Sequence, residues 1–204
     1  IRGRSHTLRI NYRTSQQIRQ SADLLLPSEV SDVDGNSEPR SGTISVFEGP
    51  PPSVRVCEDK DTEIIEVSNW IRDRVAQGFL PDEMGIFVRS DRQIIRAKKA
   101  AVAAGLKVTS LGDDFVCKQG TVAISTMHLA KGLEFRAVVV MACDDDVVPL
   151  QSRIDTVTDD SDLQEVYETE RHLLYVACTR ARDQLLITGV KPASEFLDDL
   201  LGGR

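Results

Sequence analysis

No run of about 18 apolar residues occurs in this sequence, so none of its helices is expected to cross a bilayer. Cysteine is sparse. Cys57, Cys117, Cys143 and Cys178 form no C-x-x-C pair, and no two of them lie near a histidine at ligand spacing. That argues against a zinc site and for small buried thiols in a reducing cytoplasm. The string G-x-x-x-x-G-K-[ST] is missing. No strand ends in an Asp-Glu pair, because the nearest candidate, "PDEM", precedes a strand instead. Alone, the chain therefore lacks the loop and carboxylates with which a P-loop site cradles the β/γ-phosphates and Mg²⁺. No metal-ligand set, internal repeat or low-complexity tract replaces them. The opening residues, "IRGRSHTLR", hold neither Met nor an apolar signal core and read as the interior of a longer gene product.

An apolar content of 41% over 204 residues is enough to build the core of one ordinary domain, or one and a half. The net charge of -7 argues at first sight against nucleic acid. The charge is uneven, however. Residues 144–170 hold ten acids against Arg153 alone, whereas residues 1–22 hold five arginines and no acid. An anion-binding face on an acidic protein is compatible with that asymmetry.

Strand and helix patterns alternate. "TLRINY", "TISVFEG", "VRVCE", "MGIFVRS", "KVTSL", "TVAIS", "AVVVMAC" and "QLLITG" read as strands, several of them continuous apolar runs of the kind buried in parallel sheets. "TSQQIRQSADLLL" reads as a helix capped by Thr14 or Ser15. "DTEIIEVSNWIRDRVAQG" reads as a helix with an apolar stripe through Ile64, Val67, Trp70 or Ile71, and Val75, closed by Gly78. "DRQIIRAKKAAVAAG", a long helix near "DLQEVYETERHLLYVACTRAR", and a short "ASEFLDDLL" follow. Residues 27–42 are turn-rich and read as a loop. The acid-rich segment at 144–162 reads as a solvated hairpin. The pattern predicts an α/β fold with a mostly parallel sheet and helices on both faces. Ligands of such sheets gather at the carboxyl ends of strands, where the connection after "TVAIS" begins.

Three clusters carry candidate chemistry. "NYRT" spans Asn11–Thr14 at a strand-to-helix junction. In "STMHLAKGLEF", Lys131 is a compact cation, Gly132 allows close backbone approach, Glu134 can accept two ribose hydroxyls, and Thr126 and His128 can donate to phosphate oxygens. A nucleotide, a nucleic-acid backbone and a plain solvated loop all fit that set. In "YVACTRAR", Leu163, Val166, Tyr167, Leu174, Ala177, Cys178 and Ala181 form a core stripe, and Arg180 lies on the flank beside Leu173 and Val176. Two readings fit Arg180: a salt bridge to the acidic segment, or a planar cation set against a triphosphate. Arg13 has the same two readings, with helix N-terminal amides nearby that favour anions.

In order, these segments resemble the UvrD/Rep-like superfamily-one DNA helicases. "LRINYRTSQQI" is similar to that family's fourth motif, "ISTMHLAKGLEFRAVVV" to its fifth and "ETERHLLYVACTRARDQLLIT" to its sixth. The resemblance runs from Leu8 to Thr188. It implies a RecA-like fold, the P-loop NTPase fold without its own P-loop, as the second motor domain of an ATP-dependent DNA helicase or translocase, with 1–204 as a single domain. It implies ATP with Mg²⁺ as cofactor, both held mainly by an N-terminal RecA-like domain of the same protein. Arg13 and Arg180 would then be catalytic at the γ-phosphate. Glu134 and Gly132 would join them in binding the nucleotide, with Glu134 on the ribose. Thr126, His128 and Lys131 would face single-stranded DNA, while Asn11 and Tyr12 would orient their motif. A helicase-like factor that remodels a complex such as RNA polymerase is the alternative. The expected setting is cytoplasmic, away from membranes, and the 204-residue chain alone is expected to be monomeric and inactive. One departure stands out: about thirty residues separate "GIFVRS" from "TVAIS", where larger relatives insert an accessory domain.

Overall fold

The structure, a computed structural model, describes residues 10–26, 29–31, 37–39, 44–111 and 117–202. Its centre is a six-stranded sheet built from β5 (Ser53–Cys57), β6 (Met84–Val88), β7 (Lys107–Ser110), β8 (Thr121–Thr126), β9 (Phe135–Val140) and β10 (Ala181–Val190). Their order is β5-β10-β9-β6-β8-β7, and every neighbouring pair is parallel. The expectation of a mostly parallel α/β sheet is met by a wholly parallel one. β1 (Ile10–Asn11) pairs in parallel with β4 (Ile44–Ser45) beside this sheet. Within the expected 27–42 loop, β2 (Glu29–Ser31) and β3 (Ser37–Pro39) pair antiparallel, and the remaining residues of that stretch lie outside the described ones.

Period-two alternation sorts the strands onto two apolar layers. Met84, Ile86, Val88, Ala137, Val139 and Leu186 face α2 (Lys60–Ala76) and α3 (Ile94–Ala103). Phe87, Val138, Val140, Leu185 and Ile187 face α1 (Gln16–Asp23), α5 (Asp160–Cys178) and α6 (Phe196–Leu200). The expected stripe on α2 holds at Val67 and Ile71, with Ile64 and Trp70 partly buried against the same core, and fails at Val75. Glu63, Val67, Ser68 and Ile71 are buried, while Val75 is exposed. Gly78 does close that helix, in the left-handed region at φ 89°.

Two glycines are dictated by space. A Cβ on Gly85 would stand 2.7 Å from the Phe135 ring, which packs edge-on against Phe87. A Cβ on Gly189 would stand 2.3 Å from the Cys143 carbonyl oxygen, a backbone atom that cannot swing aside. Gly189→Ala is therefore expected to cost about 1–3 kcal/mol or more through forced backbone movement. Urea unfolding of the 204-residue chain checks it, and a variant as stable as the parent would refute the clash.

The acidic segment is not the solvated hairpin expected. Val147 and Val148 are buried, α4 (Gln151–Ile154) follows, and α5 starts at Asp160 with the Asp159 side chain capping it by accepting from Asp162 N at 2.9 Å. Asp160 and Asp162 occupy its first turn, where the helix dipole favours them. Asp144 and Glu170 lie in the interior because arginines from elsewhere meet them. Arg96 binds Asp144 at 2.6 Å and also pairs with Glu63. Arg89 grips Glu170 through two bonds of 2.6 and 2.5 Å. Glu63 further accepts from Thr188 Oγ1 and from the amide of Ala142, a non-glycine residue at φ 62°.

Candidate functional site

The sheet is parallel, so its two edges differ, and the candidate residues divide between them. β8 and β9 both flank β6 in the same direction. The connection 127–134 must therefore run from the carboxyl edge back to the amino edge. It does so through a single 3-10 turn over Met127–Ala130, whose Met127 and Ala130 are buried, and then through Gly132 at φ 87°. A Cβ on Gly132 would meet open space, so the backbone conformation alone selects glycine there. Thr126 and His128 stay at the carboxyl edge. Glu134 arrives at the amino edge, one residue before β9. The expectation that this loop serves the carboxyl ends holds for its first half only.

At the amino edge three chain segments are stapled together. Ser15 N donates to Arg182 O at 2.9 Å, Thr14 Oγ1 to Thr179 O at 3.0 Å, and Phe135 N to Arg180 O at 3.0 Å. The Asn11 side chain accepts from Arg13 N at 2.8 Å and so closes the turn that precedes α1. Gln16 and Gln17 accept from Ser45 N and Gly49 N, which ties the 44–49 segment to the start of α1. The outcome places Arg13, Glu134 and Arg180 side by side.

Arg13 Nε lies 3.9 Å from Glu134 Oε2, with both side chains substantially exposed, at 70% and 48%. Such a pair contributes at most about 1 kcal/mol, so Glu134 and Arg13 are free to exchange partners. Arg180 is not on the helix flank expected. It occupies the turn between α5 and β10, and Ala181, expected in the helical stripe, opens β10. Its Nε donates to Val176 O at 2.9 Å, and its two terminal nitrogens donate to Leu133 O and Thr179 Oγ1 at 3.3 Å each. These are neutral acceptors, and among the described residues no salt bridge, to the acidic segment or elsewhere, fixes it. Burial and then the neighbouring Arg13 charge lower its pKa from the ordinary arginine value, with Tyr175 and Glu134 opposing. Two adjacent guanidiniums facing one carboxylate make a local excess of positive charge suited to a polyanion. Tyr12, expected only to orient the motif, exposes 60% of its surface beside Arg13, an aromatic face open to stacking.

At the carboxyl edge, Thr126 ends β8 half-buried, opposite Val88. His128 and Lys131 are exposed. Arg89 Nη1 approaches His128 Nδ1 to 3.4 Å. A guanidinium only donates, so Nδ1 must accept, which puts the imidazole proton on the outward Nε2. Burial first, and the Arg89 charge second, hold the His128 pKa below 6.5. Stability tied to this group is therefore present above pH 6.5 and declines as pH falls through the depressed folded value. In an NMR titration of the 204-residue chain, the His128 imidazole is expected to show its midpoint below 6.5. A midpoint above that value would contradict the contact with Arg89.

Sequence reasoning missed Arg89 and Glu170. Glu170 does sit four residues from both Val166 and Leu174 on the buried stripe of α5, a spacing that marks it as interior. Among the described residues, no group of His, Cys, Asp or Glu could hold a metal ion. No helix among them is long and apolar enough to cross a membrane.

Residues 96–191 match the family described as the UvrD-like helicase C-terminal domain. Similar proteins include the ATP-dependent DNA helicase Rep of Buchnera aphidicola, 34% identical over 89 residues that make up 43% of this chain and 13% of that protein. The ATP-dependent DNA helicase UvrD1 of Mycobacterium leprae is 38% identical over 92 residues, 43% of this chain and 11% of its own. The ATP-dependent DNA helicase PcrA of Leuconostoc citreum is 40% identical over 76 residues, 37% of this chain and 9% of its own. The chain thus spans a small part of the length of these relatives. A crystal structure of the C-terminal domain of a possible DNA helicase from Lactobacillus plantarum WCFS1 superposes with a TM-score of 0.64 at 24% identity, covering 93% of this chain and 94% of that one, and shares the fold.

Proposed function

We propose, from the match of residues 96–191 to the UvrD-like helicase C-terminal domain, that the chain is the second RecA-like motor domain of an ATP-dependent DNA helicase or translocase. Its substrate site is half of a whole. Arg13 and Arg180 reach the γ-phosphate of ATP seated on an N-terminal domain of the same protein and stabilise charge on the transferring phosphoryl group. Glu134 takes the ribose hydroxyls, and Tyr12 offers its ring to the base. Carboxylates described at this edge already have cationic partners, Glu134 beside Arg13, Glu83 and Asp183 on Arg136, and Asp183 also on Arg182, so Mg²⁺ is assigned to the P-loop domain. At the opposite edge, Nε2 of His128, with Thr126 and Lys131, meets the phosphates of single-stranded DNA.

The observation that carries this reading is the meeting of Arg13, Glu134 and Arg180, far apart in sequence, on one edge with two guanidiniums to one carboxylate. Phosphate release by the full-length protein, with and without oligo-dT, tests it. Turnover is expected to rise with the oligonucleotide, and the 204-residue chain alone is expected to be idle. ATPase activity indifferent to single-stranded DNA would instead favour a factor that remodels a protein complex.

A further inference from the structure

The buried pair Arg89–Glu170 is absorbed neither by the nucleotide edge nor by the DNA edge, yet it touches elements of both. Glu170 is fully buried and Arg89 is 3% exposed. Besides the two bonds from Arg89, the Glu170 carboxylate accepts from Leu150 N at 3.3 Å and from Arg153 at 3.2 Å. Every position around it is filled, so the arginine fork has one orientation. The remaining nitrogen of that fork, Nη1, is the one directed at His128 Nδ1.

Glu170 belongs to α5, and α5 runs on to Cys178 and the turn that carries Arg180. Val176, on its last turn, accepts the Arg180 Nε proton. From Glu170 to Cys178 the helix advances about 12 Å at 1.5 Å per residue, without an interruption. A continuous path of contacts therefore runs from His128 through a bidentate ion pair and an unbroken helix to the guanidinium at the other edge. The 127–134 connection also reaches Arg180, through the Leu133 carbonyl, which accepts a second Arg180 bond.

We propose that Arg89 and Glu170 are positioning residues that couple the DNA edge to the ATP edge: Arg89 holds His128 in its Nε2-protonated form, and Glu170 carries that arrangement along α5 to Arg180. The inference rests on the proposed motor function. It assigns no contact with either ligand to the pair itself.

Removing Glu170 alone would leave Arg89 charged in the interior and is expected to unfold the domain, so the informative variant replaces both. Arg89→Met with Glu170→Leu substitutes an apolar pair of similar volume, which is commonly neutral or stabilising. In the full-length protein this double variant is expected to melt no lower than the wild type. Its turnover without DNA is expected within about twofold of wild type, and its stimulation by oligo-dT reduced about tenfold, within the usual span of site-to-site coupling. His128→Ala is expected to lower stimulation similarly, and adding it to the double variant to lower it no further, as for groups acting in one chain. Wild-type turnover that ignores oligo-dT removes the motor reading and this inference with it. A stimulated wild type with an equally stimulated double variant removes this inference alone, because the pair is then only structural. A double variant that is stable but loses its DNA-free turnover as well also overturns it, since the pair then serves the chemistry rather than the coupling.

Discussion

Arg180→Ala in the full-length protein is expected to lower ATP turnover by about 10³- to 10⁵-fold, the usual worth of an arginine that meets a transferring phosphoryl group. The size follows from how the side chain is held. Three neutral oxygens, from Val176, Leu133 and Thr179, orient the guanidinium without neutralising it. In the proposed role the charge is pre-aimed and would need no reorganisation as charge develops on the phosphoryl group. Loss of those hydrogen bonds is expected to cost about 1–3 kcal/mol of stability, which leaves the domain folded. Arg180→Lys is expected to recover little, because an ammonium on a flexible stem lacks the fixed planar geometry of the guanidinium fork. Steady-state phosphate release at saturating ATP, with the thermal transition recorded alongside, measures both. A folded variant with near-normal turnover would take Arg180 out of the reacting centre.

Arg96→Met is expected to lower stability by about 3–5 kcal/mol, a fall in Tm of roughly 6–20 °C. Arg96, almost wholly buried on α3, faces both Glu63 and Asp144. Without it, two carboxylates remain in the interior, supported by Thr188, Ala142 N and Val190 N alone. The deficit should depend on pH. Burial already raises the Glu63 pKa above 4.5, and the Arg96 charge is among the effects that oppose this rise. In the variant the folded-state value climbs further. The stability associated with a raised carboxyl is full below 4.5 and is lost as pH rises through the folded value. The gap between variant and wild type should therefore be small in acid and widen toward neutrality. Urea titrations at two pH values check this, with the exposed Lys99→Met as the control expected to change little. A pH-independent deficit would show that lost packing, not charge, was responsible.

Much of the architecture was legible because apolar runs and helical stripes are local signals. The strands around Ile86, Ile124, Val139 and Leu186 and the helices between them fall where periodicity puts them. The grouping of Arg13, Glu134 and Arg180 was foreseeable only through the family resemblance, since nothing in spacing alone connects residues on three separate segments. The crossing of the 127–134 connection from one edge to the other was missed. It depends on β8 and β9 sharing β6 as a neighbour, which is a fact about pairing rather than about sequence. The interior carboxylates were hidden by composition. Asp144 and Glu170 lie in the most acidic stretch of the chain, and their partners Arg96 and Arg89 stand 48 and 81 residues away. Glu63 was the more readable case, because Val67 and Ile71 continue its row at four-residue intervals.

The insertion of β10 between β5 and β9 has a consequence for biosynthesis. On a ribosome adding about 5–20 residues per second, β5 emerges on the order of 10 s before the strand that will sit beside it. Until then the nascent chain can assemble only β9-β6-β8-β7, and β5 waits with its amides and carbonyls unmatched. Messages that stall between the codons for Cys57 and Ala181 would prolong that wait, so recovery of soluble product should respond to codon speed in that interval and to holdase chaperones that shield the waiting strand.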